Sequence, residues 1–362
     1  VKITARKAIA AAIAVVGSVA LLAGCASAPS TSGGSATGTK SSFLPCMVSD
    51  GGGFNDHSFN QLGLEGLVSA ANSLGVSYKK VQSQTSADYA PNISTMVTQN
   101  CNLIITVGFN LSDATKAAAA SNPDTKFAII DDDEFTASNV QPIIFDTAQA
   151  AFLGGYAAAS FSKTGVVGTF GGQQIPTVTI FMDGFADGVA YFNQQKHKSV
   201  RVVGWNVASQ KGSFTGGFAA NDTAQNTAQG IIDQGADVIM PVGGPIYQSA
   251  ATAIKNSGKS IAMIGVDADV YNTDPSVRSI LLTSVMKGIS PSVEAVVKAT
   301  EAGKFSNTPY VGTLKNDGVG LAPFHDFASK VDPNLQKELD TIKAGIIDGS
   351  ITVASPSSPK QQ

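Results

Sequence analysis

The chain is poor in the residues that most often carry chemistry. Its 362 residues include only three Cys, three His and one Trp. So few Cys and His exclude a disulfide-built scaffold and a Cys/His-rich zinc module. Charged residues make up 14%, against about 25% in an ordinary soluble protein. Lys and Arg number 24, Asp and Glu 27, for a formal net charge of −3. With no basic excess, the chain lacks the electrostatic footprint of a nucleic-acid binder. Catalytic signatures are also missing. There is no G-x-S-x-G, and His57, His197 and His325 fall in separate segments, His197 within the solvated turn Gln195-Lys196-His197-Lys198. The expectation is a protein that is not an enzyme and carries no cofactor or metal. What is plentiful is apolar: 43% hydrophobic residues, 37 Gly, and 18 Phe against 7 Tyr. That is enough for real cores, and the length allows two domains.

The first residues read as an address. Lys2, Arg6 and Lys7 stand without an acid before the apolar run from Ala8 to Leu22, a signal-peptide pattern. The run is too short for a membrane span, which needs about 20 residues. It ends in Leu22-Ala23-Gly24-Cys25, which resembles the lipobox of bacterial lipoproteins. The resemblance implies lipidation at Cys25 and a signal peptide over residues 1–24. Ala26 to Ser42 is Ser, Thr, Gly, Ala and Pro with the single charge Lys40. Such a segment cannot bury a core, so residues 25–42 are expected to be a lipidated flexible tether. The expected location is the extracytoplasmic face of the bacterial cell membrane, held there by lipid.

From Phe43 onward short apolar runs alternate with longer helical patterns. Strands are predicted at Phe43–Ser49, Ser77–Gln82, Leu103–Val107, Phe127–Ile130 and Ile143–Phe145. A second set is predicted at Val166–Phe170, Val200–Trp205, Val238–Val242, Ile261–Val266 and Ile280–Val285. Helices are predicted at Phe59–Leu74, Ala87–Gln99, Thr147–Phe161, Val178–Phe192, Ala224–Gln234 and Tyr247–Ser257. Alternation of this kind builds parallel sheets from βαβ units. Two successive groups of strands favour two doubly wound lobes over a TIM barrel. No internal sequence repeat is visible. Where the strands end, Gly and polar residues gather: Ser49–Asp56, Gly108-Phe109-Asn110, Asp131–Glu134, Gly171-Gly172, Gly243-Gly244-Pro245 and Asp267-Ala268-Asp269. Ligands of open α/β sheets bind beyond the carboxyl ends of strands, so facing lobes would enclose a ligand cleft.

Other readings of these loops are weaker. Gly51-Gly52-Gly53 lacks the G-x-G-x-x-G spacing, and Asp56 would repel a phosphate. Gly258-Lys259-Ser260 resembles the end of a P-loop, but Ala253 stands where its first Gly belongs. The acids of Asp131–Glu134 cannot all point inward, and no His supports them as a metal cluster. Tyr271 occupies the third ligand position of a would-be calcium loop at Asp267.

The stretch Ser49-Asp50-Gly51-Gly52-Gly53-Phe54-Asn55-Asp56-His57-Ser58-Phe59-Asn60-Gln61 resembles the signature of the basic membrane protein (BMP) family, bacterial lipoproteins that serve ABC importers as solute-binding components. The likeness continues through Leu103–Phe109, Phe127–Asp131, Phe152–Ala158, Gly184–Gly188, Gly265-Val266-Asp267 and Leu282–Lys287. It implies an α/β type I periplasmic-binding-protein fold, with two Rossmann-like lobes joined by three crossovers, working as a monomeric clamp. Lobe one would hold residues 43–146 with 288–305, lobe two 147–287 with 306–350, leaving a tail at 351–362. The ligand implied is a nucleoside of the purine type, and the membrane partner an ABC permease. The alternatives are another small polar ligand such as a sugar, or a ligand sensor docking on a membrane receptor. By the same resemblance Asp50, Asn55, Asp56, Phe59 and Asn60 belong to the ligand site. Phe59 and a second ring, Phe218 with Phe214 in reserve, would sandwich the base. Asp131 would contact the base, Gly244 would line the site by its backbone, and Asp267 and Lys287 would hold the ribose. Where relatives usually carry Gln, this chain has Val270. In the 2-1-3 strand order of such lobes the starts of the first and third strands lie side by side, about 4.8 Å apart. Cys46 and Cys101 are therefore expected to form a disulfide far from the cleft, with two buried free thiols as the alternative.

Overall fold

The computed structural model describes residues 42–360. The expected signal peptide, Cys25 and all but the last residue of the expected tether lie outside them. Among the described residues no helix is long and apolar enough to cross a membrane.

Lobe one begins with β1 (Pro45–Val48), α1 (Phe59–Leu74), β2 (Lys79–Val81), α2 (Tyr89–Thr98) and β3 (Leu103–Val107), and continues with α3 (Ser112–Ser121), β4 (Lys126–Ile130) and β5 (Val140–Phe145). The chain then crosses to lobe two for α4 (Thr147–Phe161), β6 (Val166–Gly171), α5 (Pro176–Lys196), β7 (Arg201–Val203) and the antiparallel pair β8 (Trp205–Asn206) and β9 (Lys211–Gly212). The same lobe holds α6 (Asp222–Asp233), β10 (Val238–Val242), α7 (Ile246–Ser257), β11 (Ala262–Asp267), the single turn α8 (Val270–Thr273) and β12 (Leu281–Lys287). A second crossing returns α9 (Ile289–Glu301), which packs on α1, and β13 (Tyr310–Gly312) to lobe one. A third carries β14 (Val319–Leu321) and α10 (Leu335–Asp348) into lobe two.

The two sheets share one plan. Their strand orders are β13-β5-β4-β3-β1-β2 and β14-β12-β11-β10-β6-β7. All pairings in the two sheets are parallel except β14 on β12. Position for position, β1, β3, β4 and β5 of lobe one answer to β6, β10, β11 and β12 of lobe two. The central strands are buried along their length because helices cover both faces.

Two expectations need correction. Lobe two was expected to resume at residue 306, but Tyr310–Gly312 pairs in parallel with Ile143–Phe145. Gly312 makes this close approach possible, since a Cβ there would stand 2.4 Å from the Phe145 ring. The third crossing therefore follows Gly312. The strand expected to reach Trp205 stops at Val203, because Gly204 takes a φ of 85° and turns the chain into β8.

Helix α1 starts and stops where the sequence indicates. Its buried face is Asn60, Gly63, Gly66, Leu67, Ala70 and Ala71, the spacing of one helical stripe. Gly75 ends it at a φ of 67°, its N–H turned back to the Ala71 and Asn72 carbonyls. Helix α4 is buried on nearly every side and runs against α5, β12, β14 and α10. It meets α5 backbone to backbone. A Cβ on Gly155 would lie 2.0 Å from the Phe185 carbonyl oxygen, and one on Gly188 would lie 2.0 Å from that of Phe152.

Cys46, on β1, and Cys101, just before β3, are joined with Cα atoms 6.0 Å apart. Both are buried in the lobe-one core, at the ends of the strands away from the loops that follow Val48 and Val107.

This packing sets two expectations for stability. Gly188→Ala should cost about 1–3 kcal/mol in denaturant unfolding, because α4 cannot retreat without uncovering its other faces. The Cys46–Cys101 link closes a loop of 55 residues in sequence separation, worth on the order of 4 kcal/mol in the chain-entropy account. Denatured, unreduced protein should therefore show no alkylatable thiol at either position, and Cys46→Ala/Cys101→Ala should unfold at clearly lower denaturant.

Candidate functional site

The loop after β1 holds itself in place. The Asp56 carboxylate accepts from the backbone N–H groups of Ser58 (3.0 Å), Asn60 (2.8 Å) and Gln61 (3.1 Å), donors that the start of α1 leaves without helical partners. The Asn60 side chain donates to Asp50 Oδ1 at 2.8 Å and Asp56 Oδ2 at 3.1 Å. Asp50 Oδ1 also accepts from the Gly52 N–H at 2.8 Å. The loop is fastened to lobe two as well: the Ser58 hydroxyl donates to the Val266 carbonyl at 2.9 Å, and the Thr273 hydroxyl to the His57 carbonyl at 2.6 Å. Phe59, the first residue of α1, is thereby set at the cleft.

At the floor of the cleft stands Lys287, the last residue of β12. Its Nζ lies 2.5 Å from Asp131 Oδ2 of lobe one and 3.4 Å from Asp267 Oδ1 of lobe two. The lysine is 6% exposed and the two acids 5% and 4%, so each charge depends on the others for its solvation. Asp131 follows β4 and Asp267 ends β11, equivalent places in the two sheets. Both adopt left-handed backbone, with φ of 66° and 67°, a conformation that costs energy in a non-glycine residue and collects at functional sites. The Phe59, Phe145 and Phe181 rings stand 5.1, 5.8 and 5.0 Å from the ammonium, within cation–π range. Lys287 is held charged, its pKa raised by the two carboxylates against the opposing effect of burial. Burial pushes both acids up, Asp267 to about 6. Asp50 is also raised to about 6, first by burial and further by Asp56 and Asp267.

Above this floor residues of both lobes line one cavity, a concave site between domains of the kind that takes small molecules. Every residue expected at the ligand site lines it except Asn55, which is exposed on the outside of its loop. Phe218 reaches the cavity from lobe two, seated on bare backbone: a Cβ on Gly172 or Gly243 would stand 2.4 or 2.7 Å from its ring. Phe214 turns away, edge-on to Trp205 with centroids 5.9 Å apart. Phe109, in a strand-end loop expected to face the cleft but given no role of its own, also lines the space, as do Thr177 and Phe181, to which nothing in the sequence pointed. Phe109 lies two residues past the end of β3 and carried a position signal. Phe181 sits inside α5 and carried none. At the cavity wall, Asn110 of lobe one donates to Gln173 of lobe two at 3.0 Å, a bond that spans the cleft.

The Bmp family model, described as ABC transporter substrate-binding protein PnrA-like, matches residues 43–354. The chain is 31% identical over 355 residues to the ABC transporter nucleoside-binding protein BmpA of Lactococcus lactis subsp. cremoris (strain MG1363), covering 93% of this chain and 96% of that protein. It is 29% identical over 307 residues to basic membrane protein A1 of Borrelia garinii subsp. bavariensis, covering 83% and 86%. A solute-binding protein of an ABC transporter system from Aeropyrum pernix K1 superposes with a TM-score of 0.76 at 25% identity, over 87% of this chain and 94% of that one. One from Conexibacter woesei DSM 14684 gives 0.65 at 21% identity, over 86% and 99%, a likeness of fold. The architecture is the two-lobe, type I periplasmic-binding arrangement of these proteins.

The raised carboxyls set a pH dependence. Asp50 holds its proton to about 6 in the folded chain, against an ordinary value of 3.8. A raised acid is favoured protonated, so its contribution to stability falls as pH rises from about 4 to about 6 and is constant above. Asp50→Asn can still accept from Gly52 and Asn60 through its amide oxygen. In denaturant unfolding, its stability relative to the unaltered chain should rise between pH 4 and pH 6 by on the order of 2 kcal/mol. A flat difference would show that Asp50 ionises as freely folded as unfolded.

Proposed function

The chain belongs to the Bmp family of PnrA-like ABC transporter substrate-binding proteins, and we propose that it captures a nucleoside, of the purine type, between its lobes and delivers it to the permease of an ABC importer. The observation that carries this reading is that Phe59 of lobe one and Phe218 of lobe two line one cavity whose floor is the Asp131–Lys287–Asp267 group. A nucleoside is neutral, with a flat base and several hydroxyls. Two phenyl faces suit the base, and stacking is worth about 1–3 kcal/mol per base on truncation. Carboxylates accept from base N–H and ribose O–H groups, and the ammonium donates to oxygens. The nucleoside-binding title of the Lactococcus lactis relative points the same way. Val270 is fully buried, its N–H given to the Ser284 hydroxyl, so it offers the sugar no polar side chain and the ribose falls to Asp267 and Lys287. A base held by rings from both lobes favours the closed state. Substrate-binding proteins of this family work outside the cytoplasm. The lipobox-like Leu22-Ala23-Gly24-Cys25 supports a lipid anchor at Cys25 that keeps this one at the membrane surface.

Native mass spectrometry of the purified protein should reveal a retained nucleoside. In calorimetry, Phe59→Ala and Phe218→Ala should each weaken nucleoside binding by roughly tenfold or more. Phe214→Ala should instead lower stability through its lost contact with Trp205. Unchanged affinity in both of the first two variants would remove the stacked base from this reading.

A further inference from the structure

The family match stops at residue 354, yet the chain beyond it is tied to the cleft. The Ser355 hydroxyl donates to Asp183 Oδ2 of α5 at 2.6 Å, and Ser357 and Thr179 share a hydrogen bond of 2.8 Å. The Ser358 hydroxyl donates to Asp146 Oδ1 at 3.0 Å. Each attachment leads to the crossovers or the cavity wall. Asp146 lies in the first crossover between the lobes, and its backbone N–H donates to the Gly312 carbonyl beside the third. Thr179 stands in the first turn of α5, next to Thr177 and Val178, which line the ligand cavity. Asp183 also holds Trp205 and Gln210, each at 2.9 Å, and so steadies the β8–β9 hairpin that leads to Phe218.

This segment also forms a wall. Pro356, Ser357 and Lys360 border a recess whose other boundaries include Asp133 and Glu134 of lobe one. Phe109, Asp131, Thr177 and Lys287 border both this space and the ligand cavity. The segment therefore borders a recess beside the ligand cavity and runs from α5 of lobe two toward the strand ends of lobe one.

We infer that Ser355–Lys360 is a strap that closes this side of the cleft, resists opening of the lobes and slows ligand exchange. This does not depend on which ligand the cleft takes. The test uses the full ligand-free chain with spin labels at Ser73→Cys on α1 and Asn256→Cys on α7, both exposed, and reads the interlobe distance by pulsed electron resonance. It compares that chain with one lacking residues 355–362 and with Ser355→Ala/Ser357→Ala/Ser358→Ala. In both altered chains the ratio of open to closed molecules should rise by roughly threefold or more. Circular dichroism identifies any loss of fold on truncation, in which case the triple variant decides. With guanosine as the probe, the dissociation rate should rise in step with the open fraction. If guanosine does not bind, the nucleoside reading fails and the distance measurement still decides the strap. An unchanged distance distribution in the folded altered chains overturns it.

Discussion

The interaction on which the site depends is the ammonium of Lys287 between Asp131 and Asp267. A buried cation without partners costs several kcal/mol, and its partners here come from different lobes. The angle between the lobes and the solvation of Lys287 are thus one variable: parting the lobes takes Asp131 away and must admit water in its place. The surrounding structure serves that arrangement. Left-handed backbone at both acids aims them at one point, and the Phe59, Phe145 and Phe181 rings keep the point dry while still attracting the charge.

The loop after β1 shows how a binding motif can be mostly scaffold. Asp56 is occupied by the first N–H groups of α1, and Asn60 by Asp50 and Asp56. These bonds keep a glycine-rich turn rigid enough to carry Phe59 at a fixed height over the floor. Asn55, at the outer bend, takes no part in lining the cavity. A motif position is therefore no guarantee of ligand contact, even where its neighbours make one.

Much of this was legible beforehand because the helices and strands carry strong periodic or continuous apolar signals between clear breaks. The limits of α1 and α4 agree with their sequence patterns residue for residue. Of the six strand-end loops read as ligand-facing, all but Gly171-Gly172 contribute residues to one cavity, and Gly172 lies under Phe218. Helix α3 had no comparable signal, being Ala-rich with only Thr115 and Ala119 buried. Strands β13 and β14 span three residues each, too few for a period to emerge, and so the third crossing was placed too early. Phe181 looked like any core residue of a long helix. Ser355-Pro356-Ser357-Ser358-Pro359 read as part of a tail, since its position depends on hydrogen bonds to Asp146, Thr179 and Asp183, far away in sequence.

The strand order shared by the two sheets bears on how a ligand is read. Elements that answer to each other supply matched pieces: Asp131 and Asp267 after β4 and in β11, and Gly108 and Gly243 with φ of 110° and 140° after β3 and β10. A perfectly duplicated pocket would accept an asymmetric molecule either way round with equal energy. Orientation can come only from places where the counterparts differ. One of these is where β5 ends in Phe145 and β12 ends in Lys287: of the two only the lysine lines the ligand cavity, so the cation stands on one side alone and helps give the cleft its polarity.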